Sequence, residues 1–116
     1  MTSRETALKA AEILNSKKAE NIKILEVKGL TSIGDYFVIA NGTSSTHIKA
    51  LSDEVEEKLK EAGVRVHHSE GYTSANWILM DYGEVLIHVF DKEAASFYDL
   101  ERLWTDAPKL DLSHLD

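Results

Sequence analysis

The sequence predicts an α/β or α+β fold, a single mixed β-sheet of about five strands flanked by helices. Its 116 residues are the size of one domain with one hydrophobic core. Apolar residues recur at helical spacing in some segments and in strand-like runs in others. The order helix, two strands, helix, three strands, helix contains no repeat and no linker. We expect the domain to span residues 1–107 and an acidic tail, mobile or packed as an extended arm, to span residues 108–116.

The chain is predicted to begin with a helix and two strands. Thr2 and Glu5 have the spacing of a capping box, and an amphipathic pattern follows over about residues 3–16. Residues 22–27 are rich in β-branched side chains and form the first strand candidate. Residues 36–40 are apolar without alternation, which indicates a second strand that is covered on both faces.

The middle of the chain is predicted to contain the clearest helix. An apolar stripe runs over residues 48–62, with Ser44 or Ser45 as the cap at its start and Gly63 as its stop. Residues 64–68 then alternate like a strand.

The last part of the chain is predicted to form a polar loop, a hairpin and a helix. The loop covers residues 69–76, and the hairpin strands cover residues 77–81 and 84–90 around a Tyr-Gly turn. Asp91 is the expected cap of a final helix over residues 92–104.

Composition excludes several classes of function. The net charge of −7 disfavours direct binding to RNA or DNA, since affinity for phosphates comes chiefly from lysine and arginine. Without cysteine there is no disulfide framework and no thiolate chemistry. No secretion signal or apolar run long enough to span a membrane is visible, so we do not expect an integral membrane protein. An acidic protein would associate readily with a basic partner protein.

The segment from Gly42 to Thr46 is the candidate most easily taken for a catalytic loop. It lies between a buried strand and a helix start, where backbone amides attract anions, as in nucleotidyltransferases. That chemistry also needs metal ions held by acidic side chains, and the predicted strand 64–68 has no carboxylate. A glycine turn with hydroxyl caps is the better interpretation, and a nucleotide-using transferase is kept as the alternative function.

Histidines do not indicate a metal site or a hydrolase. Adjacent His67 and His68 would point to opposite faces of a strand and so could not hold one metal ion. His88 alternates with apolar residues and is expected to be a packed histidine, with a partner-facing role left open. No catalytic residue, cofactor site or metal site is predicted.

Aromatic side chains give the stronger functional signal. Phe97, Leu100 and Leu103 are expected to be core residues of the final helix. For Trp77 and Tyr98, an interface role competes with a core role, because tryptophan and tyrosine at partly exposed positions are enriched in the energetic centres of protein interfaces. Their acidic neighbours indicate a surface that binds a partner protein.

These features together resemble those of the ribosomal silencing factor family, also called the Iojap family. The resemblance covers about residues 22–107 and rests on the order and spacing of several motifs. They are Asp35-Tyr36-Phe37-Val38-Ile39, Gly42-Thr43-Ser44-Ser45-Thr46-His47, Glu70-Gly71, the hairpin from Trp77 to Phe90, and Tyr98-Asp99-Leu100-Glu101-Arg102-Leu103-Trp104.

The resemblance implies a bacterial-type, cytoplasmic translational repressor rather than an enzyme. It implies a nucleotidyltransferase-like fold without catalytic acids, homodimer formation, and binding to ribosomal protein fourteen of the large subunit, a basic protein. Such a factor blocks association with the small subunit sterically when nutrients are limiting. A purely structural dimerisation module is a third hypothesis.

The resemblance also implies which residues bind the partner. Relatives often carry an arginine before the aromatic pair, but Ala94-Ala95-Ser96 stands there in this chain, so no contact of that arginine is transferred. The partner-binding positions carried over are Trp77, Asp81, Tyr82, His88, Tyr98, Glu101 and Trp104.

Overall fold

The computed structural model describes residues 1–94 and 105–115. In these residues, two helices and five strands follow one another in an order that matches the predicted one. They are α1 (Ser3–Ser16), β1 (Glu20–Glu26), β2 (Tyr36–Asn41), α2 (Ser45–Glu61), β3 (His68–Glu70), β4 (Trp77–Asp81) and β5 (Val85–Phe90).

The five strands form one mixed sheet in the order β1-β2-β5-β4-β3. The β2–β5 pair is parallel, and the β1–β2, β4–β5 and β3–β4 pairs are antiparallel. The predicted fold class, a mixed sheet of about five strands with flanking helices, is therefore confirmed.

Both helices begin where their capping residues predict. The Thr2 side chain accepts from the Glu5 backbone N–H, and the Glu5 carboxylate accepts from the Thr2 backbone N–H, which completes the capping box of α1. Ser44 caps α2 by accepting from the His47 backbone N–H at 3.0 Å. Gly63, with φ of +89°, follows the end of α2. No helix in the described part of the chain is long and apolar enough to cross a membrane.

The main core lies between these two helices and one face of the sheet. The apolar stripes of α1 and α2 pack there against alternate residues of the central strands. On β2 these are Tyr36, Val38 and Ala40, and on β5 they are Val85, Ile87 and Val89.

The opposite face of the sheet carries the remaining strand residues and is also largely apolar. We call this surface the aromatic face. It comprises Phe37 and Ile39 of β2, Leu86, His88 and Phe90 of β5, and Trp77, Leu79 and Asp81 of β4. The residues of β2 are buried on both faces of the sheet, except for Ile39, which is partly exposed. The prediction of a strand that is covered on both faces is therefore confirmed.

The third strand differs from its prediction. Strand β3 covers His68–Glu70, whereas the alternating pattern placed it at residues 64–68. Val64 and Val66 do alternate, but they pack against the main core before the chain reaches β4, and the Val64 N–H donates to the Leu59 carbonyl at 2.8 Å. Alternation thus identified a half-buried segment but not the residues that pair with β4.

The final predicted helix lies mostly outside the described residues. Asp91 accepts from the Ala94 N–H at 2.7 Å, as expected of a cap, and residues 92–94 are helical. Residues 95–104 are not described.

The described part of the tail packs as an extended arm beside β1. The Pro108 carbonyl accepts from the Glu26 N–H at 2.7 Å, and the Leu110 N–H donates to the Ile24 carbonyl at 3.0 Å. The three leucines of the tail pack against the main core. The arm therefore forms an isolated antiparallel bridge with β1 and covers part of that edge of the sheet.

Candidate partner-binding site

Trp77 lies at the start of β4 on the aromatic face and is partly exposed. Its indole packs against the ring of Phe90, with centroids 5.1 Å apart and planes 32° apart. The indole Nε1–H donates to Nδ1 of His88 at 3.2 Å. Trp77 thus presents part of its indole at the surface, while the rings of Phe90 and His88 and the hydrogen bond to His88 hold the rest.

His88 lies beside Trp77 but has only 5% of its surface exposed. Its imidazole meets Phe37 edge-on at 5.2 Å and stacks on Phe90 at 6.0 Å with the ring planes 6° apart. Burial lowers the pKa of His88 to about 4, because an imidazolium would lose its hydration there. His88 is therefore a neutral, packed residue with little surface to offer a partner.

Asp81 and Tyr82 lie at the turn between β4 and β5. Asp81 is partly exposed on the aromatic face, and its Oδ1 accepts from the Gly83 N–H at 2.7 Å. Gly83 has φ of +86°, which the tight turn requires. Tyr82 is 7% exposed and packs in the main core, where burial raises the pKa of its hydroxyl. Asp81 can meet a partner directly, whereas Tyr82 supports the turn.

Two residues beside Trp77 and Asp81 were not predicted from the sequence as partner-binding residues. Leu79 is partly exposed between Trp77 and Asp81 on the aromatic face, and Glu70 pairs with it from the exposed strand β3. The period of two from Trp77 could have identified Leu79. Glu70 could not be identified in this way, because its place beside Leu79 follows from the pairing of β3 with β4, and the sequence pattern placed β3 at residues 64–68.

Together, these residues make a small surface with an apolar centre and acidic positions on one side. Trp77 and Leu79 supply the apolar part, and Asp81 and Glu70 supply the carboxylates. Of the predicted partner-binding residues, Trp77 and Asp81 belong to this surface, while His88 and Tyr82 lie beneath or behind it. Tyr98, Glu101 and Trp104 fall outside the described residues.

The loop from Gly42 to Thr46 is filled by a side chain of the chain itself. His47 Nδ1 accepts from the Thr43 N–H at 2.9 Å, and its Nε2 is 2.8 Å from the Lys17 carbonyl oxygen. A Cβ on Gly42 would also collide with the side chain of Ile48. A phosphate at this loop would therefore lose the Thr43 amide as a donor, which argues against the transferase alternative.

Strand β3, as observed, contains one carboxylate, that of Glu70. This carboxylate is too far from the loop between Gly42 and Thr46 to help hold a metal ion there. Glu70 is three strands from β2, roughly 14 Å at the usual spacing of paired strands. Its Oε1 lies 2.8 Å from Nε2 of His68. Among residues 1–94 and 105–115, no three histidine or acidic side chains come together as a possible metal site.

Comparison with known proteins gives a consistent family match. The sequence profile of a family described as "Ribosomal silencing factor during starvation" matches residues 1–116. A protein named ribosomal silencing factor from Halalkalibacterium halodurans is 38% identical over 112 residues, which are 97% of this chain and 96% of the relative. One of the same name from Bacillus subtilis is 41% identical over 103 residues, 89% of this chain and 87% of the relative.

A solved structure shows the same fold. A crystal structure of a Chromobacterium violaceum protein superposes with a TM-score of 0.88 and 37% sequence identity. The superposition covers 97% of this chain and 93% of the other.

Proposed function

The chain belongs to the ribosomal silencing factor family, and on this premise we propose that it is a ribosome-binding repressor of translation. In this proposal it acts in the cytoplasm, binds the large ribosomal subunit and prevents the small subunit from joining, especially when nutrients are limiting. The observation that carries the proposal is the family match over residues 1–116. The proposal is further supported by two relatives named ribosomal silencing factor, because each aligns with this chain over most of its own length.

The proposed contact is the surface formed by Trp77, Leu79, Asp81 and Glu70. A half-buried tryptophan held by packing is typical of the residues that dominate binding energy at interfaces. The two carboxylates beside it favour a partner with lysine or arginine at its rim. Ribosomal protein fourteen of the large subunit, a basic protein, is the proposed partner, and the net charge of −7 would speed the encounter.

The proposed mechanism is steric and needs no chemistry. A domain bound to the face of the large subunit that meets the small subunit would occupy that space. The action would then depend on affinity and placement rather than on turnover. Tyr98, Glu101 and Trp104 remain proposed contacts from the final segment, and the homodimer remains a proposal for the free protein.

The test is a subunit-joining assay with purified components. Large and small subunits are mixed with increasing amounts of the protein, and joining is followed by light scattering and by sedimentation. We expect the protein to co-sediment with large subunits and to reduce joining as its binding saturates. If joining is unchanged when the large subunits are saturated with protein, repression by occlusion is wrong.

A second assay separates this function from the transferase alternative. Isothermal titration calorimetry with ATP and Mg²⁺ would detect nucleotide binding at the loop from Gly42 to Thr46. We expect no binding heat, because His47 occupies the Thr43 amide. Micromolar binding of ATP that is lost in a Thr43→Pro variant would support the transferase alternative instead.

A further inference from the structure

The hydrogen bond between Trp77 and His88 fixes the protonation of the histidine. Indole Nε1–H is a donor only, so the His88 Nδ1 that receives it at 3.2 Å must carry no proton. A neutral imidazole with a bare Nδ1 carries its proton on Nε2. His88 is therefore held as one tautomer, with its acceptor directed at the indole of Trp77.

The other nitrogen of His88 makes this arrangement costly for the fold. Nε2 is buried and has no hydrogen-bond partner among residues 1–94 and 105–115. A buried N–H without an acceptor destabilises the native state, whereas an apolar ring of similar shape would not. The aromatic surroundings formed by Phe37 and Phe90 would suit a phenylalanine at this position. Accepting the indole N–H is the property of His88 that phenylalanine lacks.

We propose that His88 is a positioning residue, which holds the indole of Trp77 in the orientation that meets the partner. The proposal rests on the proposed function, because it assigns a role to a residue behind that contact surface. Phe37 and Phe90 contact the imidazole, and Phe90 also packs against the indole. Because the rings of Phe90 and His88 and the hydrogen bond to His88 already hold the indole, it would lose little rotational freedom on binding, which favours affinity.

Two substitutions separate positioning from a purely structural role. His88→Phe keeps a ring of similar shape but removes the acceptor. His88→Asn removes the ring but keeps an acceptor, because Oδ1 of asparagine is bonded to Cγ as Nδ1 of histidine is. For stability we expect His88→Phe to equal or exceed the native chain and His88→Asn to fall below it, by urea unfolding.

For binding we expect the opposite order. Loss of one hydrogen bond should weaken binding of His88→Phe to large subunits about fivefold. His88→Asn, measured where it is fully folded, should bind within about twofold of the native chain. If His88 only stabilised the fold, the affinity of each variant would follow its stability, and His88→Phe would bind at least as well as His88→Asn. If His88→Phe binds as tightly as the native chain, the positioning role is wrong.

A measurement on the free protein tests the same inference without the ribosome. The chain contains two tryptophans, so its nitrogen-15 NMR spectrum has two indole N–H resonances, and a Trp77→Phe variant assigns one of them. We expect this resonance to shift and to exchange faster with solvent in His88→Phe, and to stay near its native position in His88→Asn. An unchanged resonance in His88→Phe would refute the hydrogen bond.

These results also separate this inference from the proposed function. If Trp77→Phe and Trp77→Ala bind large subunits like the native chain, the contact surface itself is wrong and the positioning role fails with it. If Trp77→Ala loses binding while His88→Phe keeps it, the contact surface stands and only the role of His88 is refuted.

Discussion

Acid should destabilise this domain through His88 in particular. In the unfolded chain a histidine takes up a proton near its ordinary pKa of about 6.5, but burial lowers the pKa of His88 in the folded chain to about 4. Between these values the unfolded state binds the proton and the folded state does not. The contribution of His88 is therefore fully present above pH 6.5 and is lost as the pH falls toward 4.

The size of the effect follows from the shift. A lowering from 6.5 to about 4 corresponds to about 3 kcal/mol of unfolding free energy at 1.36 kcal/mol per pH unit. Urea unfolding at pH 7.5, 6.5, 5.5 and 4.5 would measure it in the native chain and in His88→Phe. We expect the native chain to lose more stability than the variant over this range, with a difference of about 2 to 3 kcal/mol at pH 4.5.

A matched control identifies the responsible histidine. His68 is an exposed histidine, so His68→Gln removes a histidine without changing the buried cluster around His88 and should keep the acid sensitivity of the native chain. If the native chain and His88→Phe lose stability in parallel from pH 7.5 to 4.5, then His88 is not kept neutral by burial, and the reasoning is refuted.

Three further predictions concern the stability of the fold at the turn before β4, at the cap of α1 and along the C-terminal arm. Gly71→Ala should destabilise the domain by more than Gly29→Ala: both glycines have positive φ, but only at Gly71 would a Cβ collide with the Trp77 carbonyl. Circular dichroism melts of the two variants would measure the difference, and equal losses would contradict the clash. Thr2→Ala should cost about 1 kcal/mol by removing the cap of α1, and a loss under a few tenths in urea unfolding would show that the capping box adds little. Deleting residues 108–116 should lower stability by at least about 2 kcal/mol, because the leucines of the arm leave the core; unchanged urea unfolding would show that the arm does not stabilise the fold.

Local sequence signals predicted most of the fold. The helix α1 begins at its capping box and ends at Ser16 as the pattern indicated, and the hairpin of β4 and β5 turns at Gly83. These signals succeed because caps and tight turns are satisfied by residues near one another in the chain. The prediction misplaced strand β3 because the position of this strand depends on which residues pair with β4. Alternation within a single segment does not show that pairing.

The candidate site was only partly predictable for the same reason. The residue type of Trp77 indicated a binding surface, and the family resemblance implied the same for Asp81. Both residues lie partly exposed on the aromatic face. The burial of His88 depends on three aromatic rings from β2, β4 and β5, which the sequence separates by as much as 53 positions. Which histidine nitrogen meets the indole follows only from the packed arrangement of these strands.

Subunit joining in the presence of the native chain and of Trp77→Ala tests the central claim most directly. Tyr72→Ala is the matched control, since Tyr72 is an exposed aromatic residue that contacts Asp53 of α2, away from the aromatic face. We predict that the native chain and the control inhibit joining at similar concentrations, and that Trp77→Ala needs at least about tenfold more protein. Equal inhibition by all three, or inhibition by none, would contradict the account.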